Sequence, residues 1–254
     1  MRNIKLTIEY DGKDFNGWQK QPNKPNLQGT IENAIKEITG EEVELNASGR
    51  TDSGVHSLGQ VANFKTNSTI PIEKIPIALN TKLRKSIRIV NAKEVKENFH
   101  SRLSCKKKTY RYIINNLPTA SAIYRDLEYH IEQKLNVKKM KEAVKYFEGE
   151  HDFKAFKASG TSSKSSIRII YKADVISKKD GRIYIELTRK WFFIQYGKNN
   201  SWNISRCWFR KNKTRRYKKN YWRRKKRKCR KNSSSIWTLF SKSWILNLKS
   251  IVIE

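Results

Sequence analysis

The sequence predicts an α+β fold made of two similar halves, each with helices on one face of an antiparallel sheet. Three observations predict it. Apolar and polar residues alternate in several short stretches, which is the period of a half-buried strand. Two stretches with helical spacing lie between those strands. From Phe99 the pattern starts again.

Ile4, Leu6, Ile8 and Tyr10 alternate with polar residues, and Asp11-Gly12 ends that strand. The following loop to Pro25 carries Trp18, read as a core or loop anchor with base stacking as the alternative. Leu27, Ile31, Ala34, Ile35 and Ile38 share one helical face, closed by Gly40. Strands are expected around Val43 and Leu45 and again from Val55 to Phe64. Ile72 to Leu83 reads as a helix that starts or kinks at Pro76. Ile87 and Ile89 suggest a further strand, which completes a β-α-β-β-α-β order of the ferredoxin-like kind. In the second half, Tyr110, Tyr112 and Ile114 mark a strand, and Val137 to Phe147 a helix. Ala158 to Ser166 reads as a mobile loop; Ile167 to Tyr171 and Ile183 to Leu187 read as strands. The basic run Lys106-Lys107-Lys108 is either a solvated face or the lining of a nucleic-acid path.

Between the strands of the first half stands Gly49-Arg50-Thr51-Asp52-Ser53-Gly54-Val55-His56. Two glycines bracket one carboxylate, and an arginine lies two residues before it. Glycine tolerates backbone angles that other residues resist, so this spacing marks a tight, shaped loop. A short acid on a rigid loop suits a positioned anionic catalyst. On spacing alone, an ordinary polar turn with Asp52 as turn former is the stronger reading.

Charge points to a polyanionic partner. The net charge is +32 over 254 residues. It is unevenly spread: residues 189–254 hold 21 Lys/Arg against one acid, leaving 34 against 22 in residues 1–188. Cys105, Cys207 and Cys229 have no metal-ligand spacing and make an odd count, so neither a disulfide framework nor a metal site is expected. No signal peptide and no apolar run of about 18 residues is visible, so the expectation is a soluble, cytoplasmic protein with no membrane contact.

The octet resembles the catalytic signature of the tRNA pseudouridine synthase A family. Four further blocks resemble that family in its order and rough spacing. They are Tyr10-Asp11-Gly12 with Phe15, Gly17-Trp18-Gln19 and Gln21; Phe99-His100-Ser101-Arg102; Lys108-Thr109-Tyr110-Arg111-Tyr112; and Gly149-Glu150-His151-Asp152-Phe153 with Phe156. The resemblance covers residues 1–188. It implies a pseudouridine-synthase fold, in which two ferredoxin-like halves share an antiparallel sheet around a central cleft. It implies an isomerase that converts uridine to pseudouridine at positions 38–40 of the tRNA anticodon stem-loop. It also implies a homodimer, with tRNA as partner and no cofactor.

By the same resemblance Asp52 is the catalytic carboxylate and Tyr110 packs against the target base. Arg50 either assists ionisation of Asp52 or fills the gap left by the extruded base; a plain phosphate contact is the alternative. Isomerisation involves no net redox change or group transfer, so neither a metal nor a small-molecule cofactor is required. His56 reads as structural, His100 and Arg102 as candidate RNA contacts, and His151-Asp152-Phe153 as a helix-terminal packing unit.

Beyond Thr188 the resemblance stops. Residues 189–254 contain no Ala, Asp, Met, His or Pro and six of the seven tryptophans. Codons allowed for Arg189 to Asn203, read one nucleotide later, yield Gly-Asn-Gly-Phe-Leu-Tyr-Asn-Met-Val-Arg-Ile-Ile-Val-Gly, which resembles the missing family segment. Thr214–Trp222 and Cys229–Trp244 yield two more family-like blocks in order. The sequence is therefore organised as a first half with the catalytic loop at 1–98, an incomplete second half at 99–188, and a basic, Trp-rich tail at 189–254. The tail is expected to be out of frame and poorly ordered. Loss of the family's second arginine, which lies in the displaced segment, is expected to raise the pKa of the catalytic acid and depress activity. A second reading is a non-catalytic, basic RNA-binding protein that uses the tail's cations and aromatics.

Overall fold

The computed structural model describes residues 1–152, 167–190 and 250–253. These residues form two compact units that divide between Arg111 and Tyr112.

The first unit is built on β1 (Arg2–Tyr10), the strand with the clearest alternation. Ile4, Leu6, Ile8 and Tyr10 are buried on one face, as their period-two spacing requires. Antiparallel to β1 lie β3 (His56–Thr66) on one side and β4 (Ile87–Val95) on the other. A two-residue strand β2 (Asn46–Ala47) pairs with β3 at Ala62 and Asn63. On that same edge of β3, β10 (Ser250–Ile253) runs parallel and pairs at His56 and Ser57.

Helix α1 (Leu27–Thr39) packs Leu27, Ile31, Ala34 and Ile35 into the core. Asn26 caps its start by accepting from Gly29 N–H at 2.8 Å, and Gly40, at φ 75°, ends it with a bond to Lys36 O. The stretch 72–83 is a 3-10 turn (Ile72–Lys74) followed by α2 (Ile75–Lys82). Pro76 sits in the first helical turn, where its missing N–H costs nothing. Eighteen buried residues from β1, β3, β4, both helices and the connecting loops form one core. The β-α-β-β-α-β order is the expected one, but the strand expected around Val43 and Leu45 is confined to Asn46–Ala47. Leu45 is buried nonetheless, and its N–H donates to Glu32 Oε1 at 2.8 Å. Glu32 thus uses its carboxylate to hold this segment against α1, so the strand ladder is replaced by a side-chain tie.

The second unit begins within β5 (Lys107–Asn115) and continues through β6 (Tyr129–His130), α3 (Val137–Val144) and a 3-10 turn (Lys145–Phe147). Three antiparallel strands follow: β7 (Gly149–Asp152), β8 (Ile167–Ser177) and β9 (Arg182–Lys190). Met140, Val144, Phe147, Ile170, Ala173, Val175, Ile183, Ile185 and Leu187 are in its core. His151 and Asp152 are strand residues, correcting the helix-terminal reading. They pair with Arg168 and Ile167, and His151 Nε2 lies 2.6 Å from Glu148 O. The reason is Gly149, at φ 99°, which turns the chain out of the 3-10 turn and into the sheet.

The loop expected at 158–166, Phe153, Phe156 and tail residues 191–249 lie outside the described residues. Among the described residues, no helix is long and apolar enough to cross a membrane.

Candidate active site

Asp52 sits in a loop between β2 and β3 that is held from one side by the segment after β1. Trp18 N–H donates to Thr51 O at 3.0 Å, and Tyr10 Oη lies 2.9 Å from Thr51 Oγ1. Ser53 Oγ donates to Phe15 O at 3.2 Å, and Gly54 N–H reaches the same carbonyl at 3.4 Å. Val55 N–H closes the turn onto Asp52 O at 3.3 Å. Every residue from Thr51 to Val55 therefore has a backbone or side-chain tie. Phe15 and Trp18, each 2 % exposed, anchor the clamping segment in the core. Trp18 is thereby a core anchor, with its ring centroid 6.1 Å from that of Tyr10.

The two glycines of the clamp are there for space. A Cβ on Gly12 would lie 1.9 Å from Val55 O. A Cβ on Gly17 would lie 2.5 Å from Thr51 O, and Gly17 also has φ +88°. The clamp and the Asp52 loop approach at backbone distance, which only glycine permits. Behind them, His56 is buried with Nδ1 2.9 Å from Asp11 Oδ1 and 3.3 Å from Gly12 N. That is the structural role its strand position suggested.

Asp52 itself is exposed to solvent. Yet desolvation by the surrounding protein raises its carboxyl pKa above the ordinary value. The two facts agree if the carboxylate meets water on one side and protein on the others. Arg50 is also exposed; desolvation first, and then the positive charge of Arg102, lower its guanidinium pKa from the ordinary value. Desolvation is the cause of the upward shift of Asp52, with no contribution from Arg50. Arg50 and Arg102 instead form a pair of like charges, an arrangement that favours an anion between them. Arg102 belongs to a loop tied to β1 and β3: Asn3 Nδ2 donates to Phe99 O at 2.9 Å, and Ser101 N–H donates to Asn63 Oδ1 at 2.8 Å. Asn63 Nδ2 in turn donates to Asn3 Oδ1 at 2.9 Å.

Tyr110 lies on β5, half-buried. Two residues before it, Lys108 overturns the reading of residues 106–108 as one basic run. Lys106 and Lys107 are exposed, whereas Lys108 is only 2 % exposed. Its Nζ donates to Ser48 Oγ at 3.0 Å and to Gln60 Oε1 at 3.5 Å. Gln60 Nε2 donates to Gly49 O. The strand that carries Tyr110 is thus fastened to the residues that begin the Asp52 loop. Sequence reasoning missed this residue. The signal that was available is strand parity, since Lys108 and Tyr110 are two apart and share a face.

A family model described as tRNA pseudouridine synthase matches residues 6–103 and 143–194 of this chain. Asp52, Arg50 and Arg102 fall inside the matched stretches, and Lys108 and Tyr110 fall outside them. A tRNA pseudouridine synthase A of Thermoanaerobacter sp. (strain X514) is 48 % identical over 192 residues, covering 76 % of this chain and 78 % of the relative. One from Caldicellulosiruptor saccharolyticus is 51 % identical over 180 residues, covering 71 % and 74 %. A tRNA pseudouridine synthase A 2 of Clostridium perfringens is 51 % identical over 188 residues, covering 73 % and 76 %.

Proposed function

The chain belongs to the tRNA pseudouridine synthase family, and from that premise we propose that it isomerises uridine to pseudouridine in the anticodon stem-loop of tRNA, at positions 38–40. In this reading it works in the cytoplasm as a homodimer. The observation that carries the proposal is the setting of Asp52: an exposed acid on a loop whose backbone is tied residue by residue to a buried clamp.

The reaction breaks the N1–C1′ bond, turns the base and joins C5 to C1′. C5 loses a proton and N1 gains one, so the product is an isomer and no electrons are transferred. Ionised Asp52 supplies the negative charge at the sugar, as a nucleophile or as a base toward a sugar proton. Tyr110 gives the extruded base an aromatic face, which helps offset an unstacking cost of a few kcal/mol. Arg50 and Arg102 meet the phosphate backbone near the site. Recognition is then mainly of RNA shape and charge, and binding weakens steeply with salt.

The tail after Thr188 bears on activity. We infer that one extra nucleotide near the Thr188–Arg189 junction puts it out of frame and removes a segment that supports Asp52. Desolvation raises the carboxyl pKa of Asp52, so a cation beside it would favour the ionised form that the reaction needs. Arg189 adds to this: it continues the buried face of β9 set by Ile183, Ile185 and Leu187, a position that suits an uncharged residue.

The test compares this chain with a counterpart whose codons after Thr188 are read one nucleotide later. The counterpart should form pseudouridine in a tRNA anticodon stem-loop, and the present chain little or none. Asp52→Ala in the counterpart should abolish the product and leave tRNA binding intact. Product formation that survives Asp52→Ala would remove Asp52 from the chemistry. Binding without any modification by the counterpart would favour a non-catalytic RNA-binding protein.

A further inference from the structure

We infer that Lys108 is a positioning residue that holds the Asp52 loop in register with the strand bearing Tyr110. The inference rests on the roles proposed above for Asp52 and Tyr110. A lysine side chain with 2 % exposure is an unusual interior residue, since its amine must find partners once water is removed. Two of the partners of Lys108 lead to one place. Ser48 Oγ, at 3.0 Å, belongs to the residue just before the signature octet. Gln60 Oε1, at 3.5 Å, belongs to a fully buried amide whose nitrogen bonds Gly49 O, the first carbonyl of the octet. Ser48 is also fixed through its backbone, donating to Val61 O at 2.8 Å.

These contacts give the loop two independent anchors. The Tyr10–Trp18 clamp holds Thr51 to Val55 from one side. The Lys108 brace holds Ser48 and Gly49, where the chain enters the loop. Arg50 and Asp52 lie between them. Because Lys108 and Tyr110 share a face of β5, any movement of that strand moves the brace and the tyrosine together. The brace thereby couples the start of the acid's loop to the strand that carries the aromatic ring. A catalytic group must be held to within about half an ångström for its chemistry, so loss of such a brace should reduce turnover more than binding.

The test is amide hydrogen exchange on the full chain, with Lys108→Met and Ser48→Ala against the unmodified protein and Lys107→Met as an exposed control. Lys108→Met should speed exchange across Gly49–Val55 about tenfold, as expected for loss of one buried hydrogen-bond anchor. Exchange in β1 and α1 should stay unchanged. Ser48→Ala should give the same pattern with a smaller rise, and Lys107→Met none. Uniform acceleration throughout the unit would make Lys108 an ordinary core residue and overturn the inference. Unchanged exchange at 49–55 would also overturn it. If Lys108→Met does not fold, Ser48→Ala decides by the same peptides.

In the frame-restored counterpart, Lys108→Met should lower kcat about tenfold, with KM unchanged. A raised KM with normal turnover would assign Lys108 to binding and overturn the inference. Exchange needs no activity, so failure of the Asp52 reading and failure of the Lys108 reading give separate results.

Discussion

The two units differ in what they bury. Among the described residues, the first unit buries ten polar or charged side chains: Asn3, Glu32, Ser48, His56, Ser57, Gln60, Asn63, Thr66, Ser101 and Lys108. The second buries two, Asn115 and Arg189. Several of the ten link loops to strands: Lys108, Ser48 and Gln60 brace the Asp52 loop, and Asn3, Asn63 and Ser101 secure the Arg102 loop. The second unit has a smaller polar network: Glu128, its side chain 3 % exposed, pairs with Arg182 at 2.6 Å, and Arg182 reaches Asp180 at 2.9 Å. Buried polar networks fix a single geometry when satisfied and are costly when broken. Among the described residues, the first unit holds more of its interior in such networks than the second.

The largest effect that should sharpen this contrast is Asp52→Asn. In the frame-restored chain it should lower pseudouridine formation by several orders of magnitude. In the present chain the same substitution should raise thermal stability near neutral pH. The folded-state pKa of Asp52 is raised, so its contribution to stability is full below the unfolded value and is lost as pH rises through the folded value. At neutral pH the ionised group therefore opposes folding, and asparagine relieves that. Melting curves should show the gain at pH 7 and lose it in acid below the ordinary carboxylate range.

Next in size is Gly12→Ala. The new Cβ would lie 1.9 Å from Val55 O, so the clamp or the loop must move. A loss of about 3 kcal/mol is expected, as for severe overpacking, and urea unfolding would measure it. A neutral result would show that the clamp is looser than its distances imply.

Arg189→Leu probes the second unit and should act in the opposite direction. Arg189 is 7 % exposed on a strand face otherwise apolar, so replacing it with leucine should stabilise by about 1 kcal/mol in urea unfolding. Destabilisation would show that its polar contacts in the second unit outweigh the cost of burying its charge. The smallest effect belongs to Lys36→Ala, which removes the exposed Lys36–Glu42 pair at 2.6 Å and should leave the melting temperature unchanged.

Much of this molecule was legible in the chain itself. The alternation in β1, the apolar face of α1 and its Gly40 stop depend on local spacing, and so did the bracketing of Asp52 by glycines. What a residue can do within its own turn or strand is written in its neighbours. Long-range matters were not. Lys108 looks like the third member of a basic run; only the packing of β5 near Ser48 and Gln60 makes it interior. His151 and Asp152 look like a helix end until β8 supplies a partner strand. Leu45 lacks a strand because Glu32, thirteen residues away, offers a carboxylate instead. The sequence by itself determined most elements of the first unit, their core faces and the candidate acid. Tertiary structure decided which polar side chains leave water, because burial and its partners depend on residues far apart in the chain.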